Sequence, residues 1–173
     1  MSKNFDIDKY VFKSAVVTPP DNLFGTAPNN PSILYINQNK ESNFNIASWL
    51  ITHPFTMEGE TFYHDYDQFL FFCGSDPENR SELGGKVELY LGHEMESLEK
   101  ITIDESAIIF VKAGMLHCPL RFVEIYDKEK PIFFQDITLC GQYSKFKPGN
   151  PQRLNVDGDP IDEAGNLIKS GGA

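Results

Sequence analysis

The chain has 173 residues, 40% of them apolar and 13% aromatic, and a formal charge of −10. That length suits one domain with a sizeable core, and that composition excludes a disordered chain. The acidic balance excludes partners that demand clustered Lys and Arg, so neither a nucleic acid nor a membrane surface is expected.

Met1 to Tyr10 is polar and mixed in charge, without the apolar core of a leader. No apolar run approaches the ~18 residues of a membrane span. Cys73, Cys118 and Cys140 are odd in number and widely spaced. They read as buried thiols in a reducing compartment rather than as a disulfide framework. The expectation is a soluble, cytoplasmic protein.

Residues 1–31 mix short apolar groups with Pro19, Pro20, Gly25, Pro28 and Pro31 and read as a lead-in that wraps the domain, with one short strand near 13–17. Residues 32–37 (SILYIN) and 45–53 (NIASWLITH) alternate as strands, and 57–60 reads as a turn. Residues 62–73 (FYHDYDQFLFFC) carry the strongest strand pattern. Period two puts Phe62, His64, Tyr66, Gln68, Leu70 and Phe72 on one face and Asp65, Asp67, Phe69, Phe71 and Cys73 on the other. Residues 74–85 read as a long polar loop. Further strands are expected at 86–91, 99–103, 106–112, 117–126 and 131–138, followed by a Pro/Gly/Asn/Asp-rich tail that should be loosely held and frayed at its end. Many short strands with frequent turn signals, and no helical periodicity, indicate an all-β sandwich or barrel. The 14 Phe and 7 Tyr suit such a core.

Two stretches carry a resemblance. One is Phe62-Tyr63-His64-Asp65-Tyr66-Asp67-Gln68 with Gly74 after it; the other is Lys112-Ala113-Gly114-Met115-Leu116-His117. They resemble the motifs H-x-H-x3-E and P-x-G-x-x-H of the cupin superfamily. The wording is similar to one branch of it, with "HDFDE", "G-DP", "LGG-VEL-LG" and "H-CP" met here at His64–Gln68, Gly74–Pro77, Leu83–Gly92 and His117–Pro119. The resemblance spans about residues 32–143. It implies a double-stranded β-helix (jelly-roll) barrel, flanked by the lead-in 1–31 and an irregular tail 144–173.

In metal-dependent cupins three imidazoles and one carboxylate point into the barrel. Carried over by position, His64 and His117 are retained, Phe62 stands where the first histidine would, and Gln68 stands where the glutamate would. Two good ligands remain, and a divalent cation in an interior needs some charge compensation. Three substitutes come into view: Gln68 through Oε1, Asp67 turned inward by a β-bulge, or Glu88 pointing into the cavity with Lys86 and Tyr90.

Among other candidates, Arg121 shares the His117 face by period two and could meet a substrate carboxylate or an acid such as Glu88. Tyr66 could donate a proton or pack in the core, and Trp49 reads as core. Cys118 should alternate away from His117. His53 reads as a strand-end histidine and His93 as a solvent-facing turn residue. Asn155–Asp159 lacks the EF-hand glycine and glutamate and reads as a polar turn.

The resemblance implies a metal-binding cupin that acts on or binds a small polar metabolite, of oxygenase, isomerase or decarboxylase type, with Mn, Fe, Ni or Zn on His64, Gln68 and His117. The alternative is a metal-free, non-catalytic small-molecule-binding module. A homodimer through edge-strand pairing is expected in either case.

Overall fold

The computed structural model describes residues 16–17, 33–36 and 43–168. The remainder of the lead-in, residues 37–42 and the extreme C-terminus expected to fray lie outside the described residues. In chain order the strands are β1 (Val16–Val17), β2 (Ile33–Ile36), β3 (Asn45–Ile51), β4 (Phe55–Glu58), β5 (Gln68–Gly74), β6 (Glu82–Gly92), β7 (Glu99–Glu105), β8 (Ala107–Val111), β9 (Leu116–Ile125) and β10 (Ile132–Thr138). A 3₁₀ turn, Met95–Ser97, joins β6 to β7. Among the described residues no helix is long and apolar enough to cross a membrane.

One sheet runs β1-β2-β3-β10-β5-β8 and the other β4-β9-β6-β7, with antiparallel neighbours throughout. From β3 to β10 the chain crosses between the sheets at every step except the β6–β7 hairpin, which is the jelly-roll order. The expected barrel is corrected in one respect: the two sheets face one another as a sandwich and do not close. At the corner between β4 and β5 the chain leaves the ladder.

That corner also divides the expected strand 62–73. Phe62 and Tyr63 make isolated bridges, residues 64–67 turn, and only then does β5 begin. The alternation survives the break, because Phe62, His64, Gln68, Leu70 and Phe72 are all buried. Where a loop was expected at 74–85, β6 already starts at Glu82. The return is tight, since a Cβ on Gly74 would lie 1.8 Å from the Glu82 carbonyl oxygen.

The core between the sheets is aromatic. Phe72 and Phe134 from one sheet meet Phe122 from the other, with ring centroids 4.9 Å apart for Phe72–Phe134 and 5.6 Å for Phe122–Phe134. Trp49 stacks on Phe134 at 5.3 Å.

The tail is better anchored than its composition suggests. Phe146 bridges Tyr63, Lys145 bridges Leu154, and Ile161 bridges Leu167. Leu154 and Ile161 are buried, so a few apolar side chains fix a segment otherwise rich in turn formers.

Candidate functional site

Backbone hydrogen bonds bring the two sequence motifs together. Phe62 and His117 exchange a pair of bonds, with N···O distances of 3.2 and 2.9 Å, and the Gly114 amide donates to the His64 carbonyl at 2.7 Å. Gly114 has φ 83° in the turn closed by the Met115 amide on the Lys112 carbonyl. That position needs the left-handed region, which glycine reaches without a Cβ penalty. The Asp67 carboxylate clamps the same turn by accepting from the Ala113 amide at 2.9 Å.

His64 and His117 are each 1% exposed, with ring centroids 5.0 Å apart. Phe62 stands edge-on to both, at 5.2 and 4.4 Å. His64 Nδ1 lies 2.6 Å from the Ser144 carbonyl and His117 Nδ1 lies 3.1 Å from the Met115 carbonyl. A carbonyl only accepts, so each Nδ1 carries the proton and each Nε2 keeps a lone pair. Neither Nε2 has a hydrogen-bond partner among the described residues, and neither does Gln68 Oε1.

Burial holds both imidazoles neutral. It pushes His64 well below the ordinary histidine range, with the neighbouring His117 and Lys145 adding to the effect. It pushes His117 down to about 4, again with help from the Lys145 charge. Tyr66 stacks on His64 at 4.6 Å. Its hydroxyl donates to the Ser144 carbonyl and accepts from the Ser144 amide, and burial raises its phenol above the usual range.

A cavity of about 90 Å³ opens beside the pair, lined by His117, Phe62, Gln68, Asp136, Glu58 and Tyr143 at its polar end and by Trp49, Leu70 and Phe134 deeper in. Gln68 Nε2 donates to Asp136 Oδ1 at 2.8 Å. Burial raises the Asp136 carboxyl to about 6, opposed by that hydrogen bond. Lys145 Nζ lies 3.0 Å from Glu58 Oε2 and 5.1 Å from the Phe62 ring centroid.

Several expected side chains lie elsewhere. Glu88 does not enter the cavity. Val87 and Leu89 face the core, while Glu88 points outward and pairs with Lys100 at 2.8 Å; that lysine holds its carboxyl below the usual range. Lys86 likewise pairs outward with Glu124. Arg121 is exposed rather than beside His117. The cause is a bulge: Leu91 pairs His117 and Leu89 pairs Leu120, so Cys118 and Pro119 together face Tyr90. Proline supplies no ladder donor, and one extra residue reverses every face beyond it. Cys118, at φ 73°, is therefore buried with His117 in the cavity wall instead of alternating away. Burial raises its thiol well above the ordinary range, which argues against a thiolate role. His53 and His93 are exposed. Asn155–Asp159 closes as a turn, with the Asp159 amide on Asn155 Oδ1.

The fold thus brings His64 and His117 into ring contact at 5.0 Å, with His117 in the cavity wall. The strand order is that of a jelly roll. No protein-family model matches the chain, and no curated protein does. Several solved structures are similar to part of it. A Bacillus halodurans protein, BH2720, is 20% identical over 58% of this chain and 64% of its own, with a TM-score of 0.39. A Bacillus subtilis oxalate decarboxylase, OxdC, is 10% identical over 67% and 27%, at 0.44. The capsular polysaccharide assembling protein CapF of Staphylococcus aureus is 9% identical over 71% and 28%, at 0.44. The matched region is less than two thirds of each of those chains.

The sequence pattern missed Asp136, Glu58, Ser144 and Lys145. A signal existed for the first: Ile132, Phe134, Asp136 and Thr138 share one face of β10, a carboxylate among core residues. The other three belong to a strand end and to the tail, where no periodicity marks the inward side.

Proposed function

We propose that the chain is a metal-binding cupin in which His64, His117 and Gln68 hold a divalent transition metal ion, Mn, Fe, Ni or Zn, beside a cavity that binds or transforms a small polar metabolite. The observation that carries this reading is the set of three buried lone-pair atoms without partners, two Nε2 and one Oε1. The donor chemistry fits: both imidazoles donate Nδ1–H to backbone carbonyls, the arrangement that orients a ligating histidine. Among the described residues no three His, Cys, Asp or Glu side chains gather as a metal-holding group. The third donor in this reading is therefore an amide oxygen.

A bound ion would supply Lewis acidity towards a ligand oxygen. The protein's own contribution is orientation and exclusion. Phe62 walls off both imidazoles, and the Ser144 carbonyl, held by Tyr66, fixes the His64 tautomer. The cavity, about 90 Å³, suits a small ligand.

A second reading, a metal-free binding module, draws support from Lys145, whose charge near both imidazoles disfavours a further cation. An edge pairing of two copies is also proposed. It is supported by β8, which among the described residues pairs only with β5 and exposes Ile108 and Phe110.

Elemental analysis of protein purified without chelator or affinity metal separates the two readings. Near-stoichiometric Mn, Fe, Ni or Zn, absent from His64→Ala/His117→Ala, is expected. Metal below about a tenth of an equivalent, unchanged in the variant and not regained on incubation with these ions, would sink the metal reading.

A further inference from the structure

The β5–β10 register pairs Gln68 with Thr138 and Leu70 with Asp136, so Asp136 is the diagonal neighbour of Gln68 on the inward face. Its carboxylate offers only acceptors, so the amide must turn Nε2 towards it, and the 2.8 Å bond shows that it does. Oε1 is thereby directed away from Asp136, where it is buried and unpartnered among the described residues.

Asp136 also differs from the other acids near the cavity. Asp67 accepts from the Ala113 amide, Glu58 pairs with Lys145, and Glu88 pairs with Lys100 outside. No described ion pair includes Asp136. A carboxylate enclosed in a cavity wall without a counter-cation is a costly arrangement unless a cation arrives.

We propose that Asp136 is the positioning residue of the metal site, acting through Gln68: the amide supplies the donor atom and the carboxylate behind it supplies the negative charge. The pair divides between two strands what one glutamate does in the pattern the chain resembles. The N–H···O⁻ bond locks the amide orientation and polarises it towards Oε1. This inference rests on the metal-binding reading above.

The test is titration of the full chain with Co(II) alone, reading affinity by competition with a chelating indicator and geometry by the visible absorption of the bound ion. Asp136→Asn keeps the shape and removes the charge. It is expected to weaken Co(II) binding by about 10–100-fold, while the metal-free Tm is unchanged or higher. The swapped variant Gln68→Glu/Asp136→Asn moves the charge onto residue 68 and is expected to bind Co(II) at least as tightly as the wild type. Unchanged affinity in Asp136→Asn, or affinity of the swapped variant below wild type, would overturn the inference while leaving the metal reading intact. A wild type that binds no Co(II) would overturn both. Should Asp136→Asn alone fail to fold, the swapped variant, which retains one amide and one acid, decides between these outcomes.

Discussion

Three strands of the sandwich, β5, β9 and β10, each carry one residue to an apolar end and another to a polar end. Phe72, Phe122 and Phe134 meet at the first; Gln68, His117 and Asp136 line the second. Those three rings carry no polar atom and stabilise the fold by burial alone. The polar end leaves buried acceptors without partners, each costing roughly 1–3 kcal/mol. Identical backbone thus supports stability at one end and a binding site, at a cost in stability, at the other.

Replacing one ring at each end sharpens this contrast. Phe72→Ala is expected to destabilise by about 3–5 kcal/mol in denaturant unfolding, through the cavity it leaves. His117→Leu removes an unpartnered polar atom for similar volume. It should shift stability by less than about 1 kcal/mol and abolish Co(II) binding. Equal losses from the two substitutions would break the comparison.

Acid separates the two charges of the polar end. His117 titrates near 4 when folded and near 6.5 when unfolded. Between these values the unfolded chain binds more protons, so stability falls as pH drops from 6.5 towards 4, by up to about 3 kcal/mol. Asp136 runs the other way: its carboxyl is raised from 3.8 to about 6 in the fold, so protonation there returns stability as pH falls from 6 towards 4. Asp136→Asn deletes only the returning part. Its metal-free Tm should therefore fall more steeply than that of the wild type between pH 6.5 and 4. Parallel curves would show that Asp136 is not the opposing group.

A smaller effect than at Phe72 is expected at Tyr66. Tyr66→Phe removes the hydroxyl that both holds the Ser144 carbonyl and accepts its amide. About 1–2 kcal/mol of stability should go with it, and Co(II) affinity should weaken because His64 loses the fixed carbonyl that sets its tautomer. A wild-type Co(II) affinity would show that the Ser144 carbonyl needs no such support.

Much of this was legible in the residues. Alternation from Phe62 to Phe72 identified the buried face even though the backbone turns in the middle of it, because burial follows side-chain direction more closely than ladder continuity. The same rule failed in β9, where Cys118 and Pro119 insert a bulge and turn Arg121 outward while keeping Cys118 inside. It failed for Glu88 because only the pairing of Val87 with Phe122 reveals which face of β6 meets the core.

The amino-acid sequence by itself determined an all-β chain, its aromatic core, and two histidines delivered by separate strand segments. These follow from local periodicity and from glycine and proline chemistry, which neighbours along the chain suffice to specify. The tertiary structure alone decided that the sheets stay open as a sandwich and that Asp136 stands behind Gln68. It also decided that the tail delivers Ser144 to His64. Each of these depends on cross-strand register or on contacts about 70–80 residues apart along the chain, and a one-residue shift in register would have reversed them.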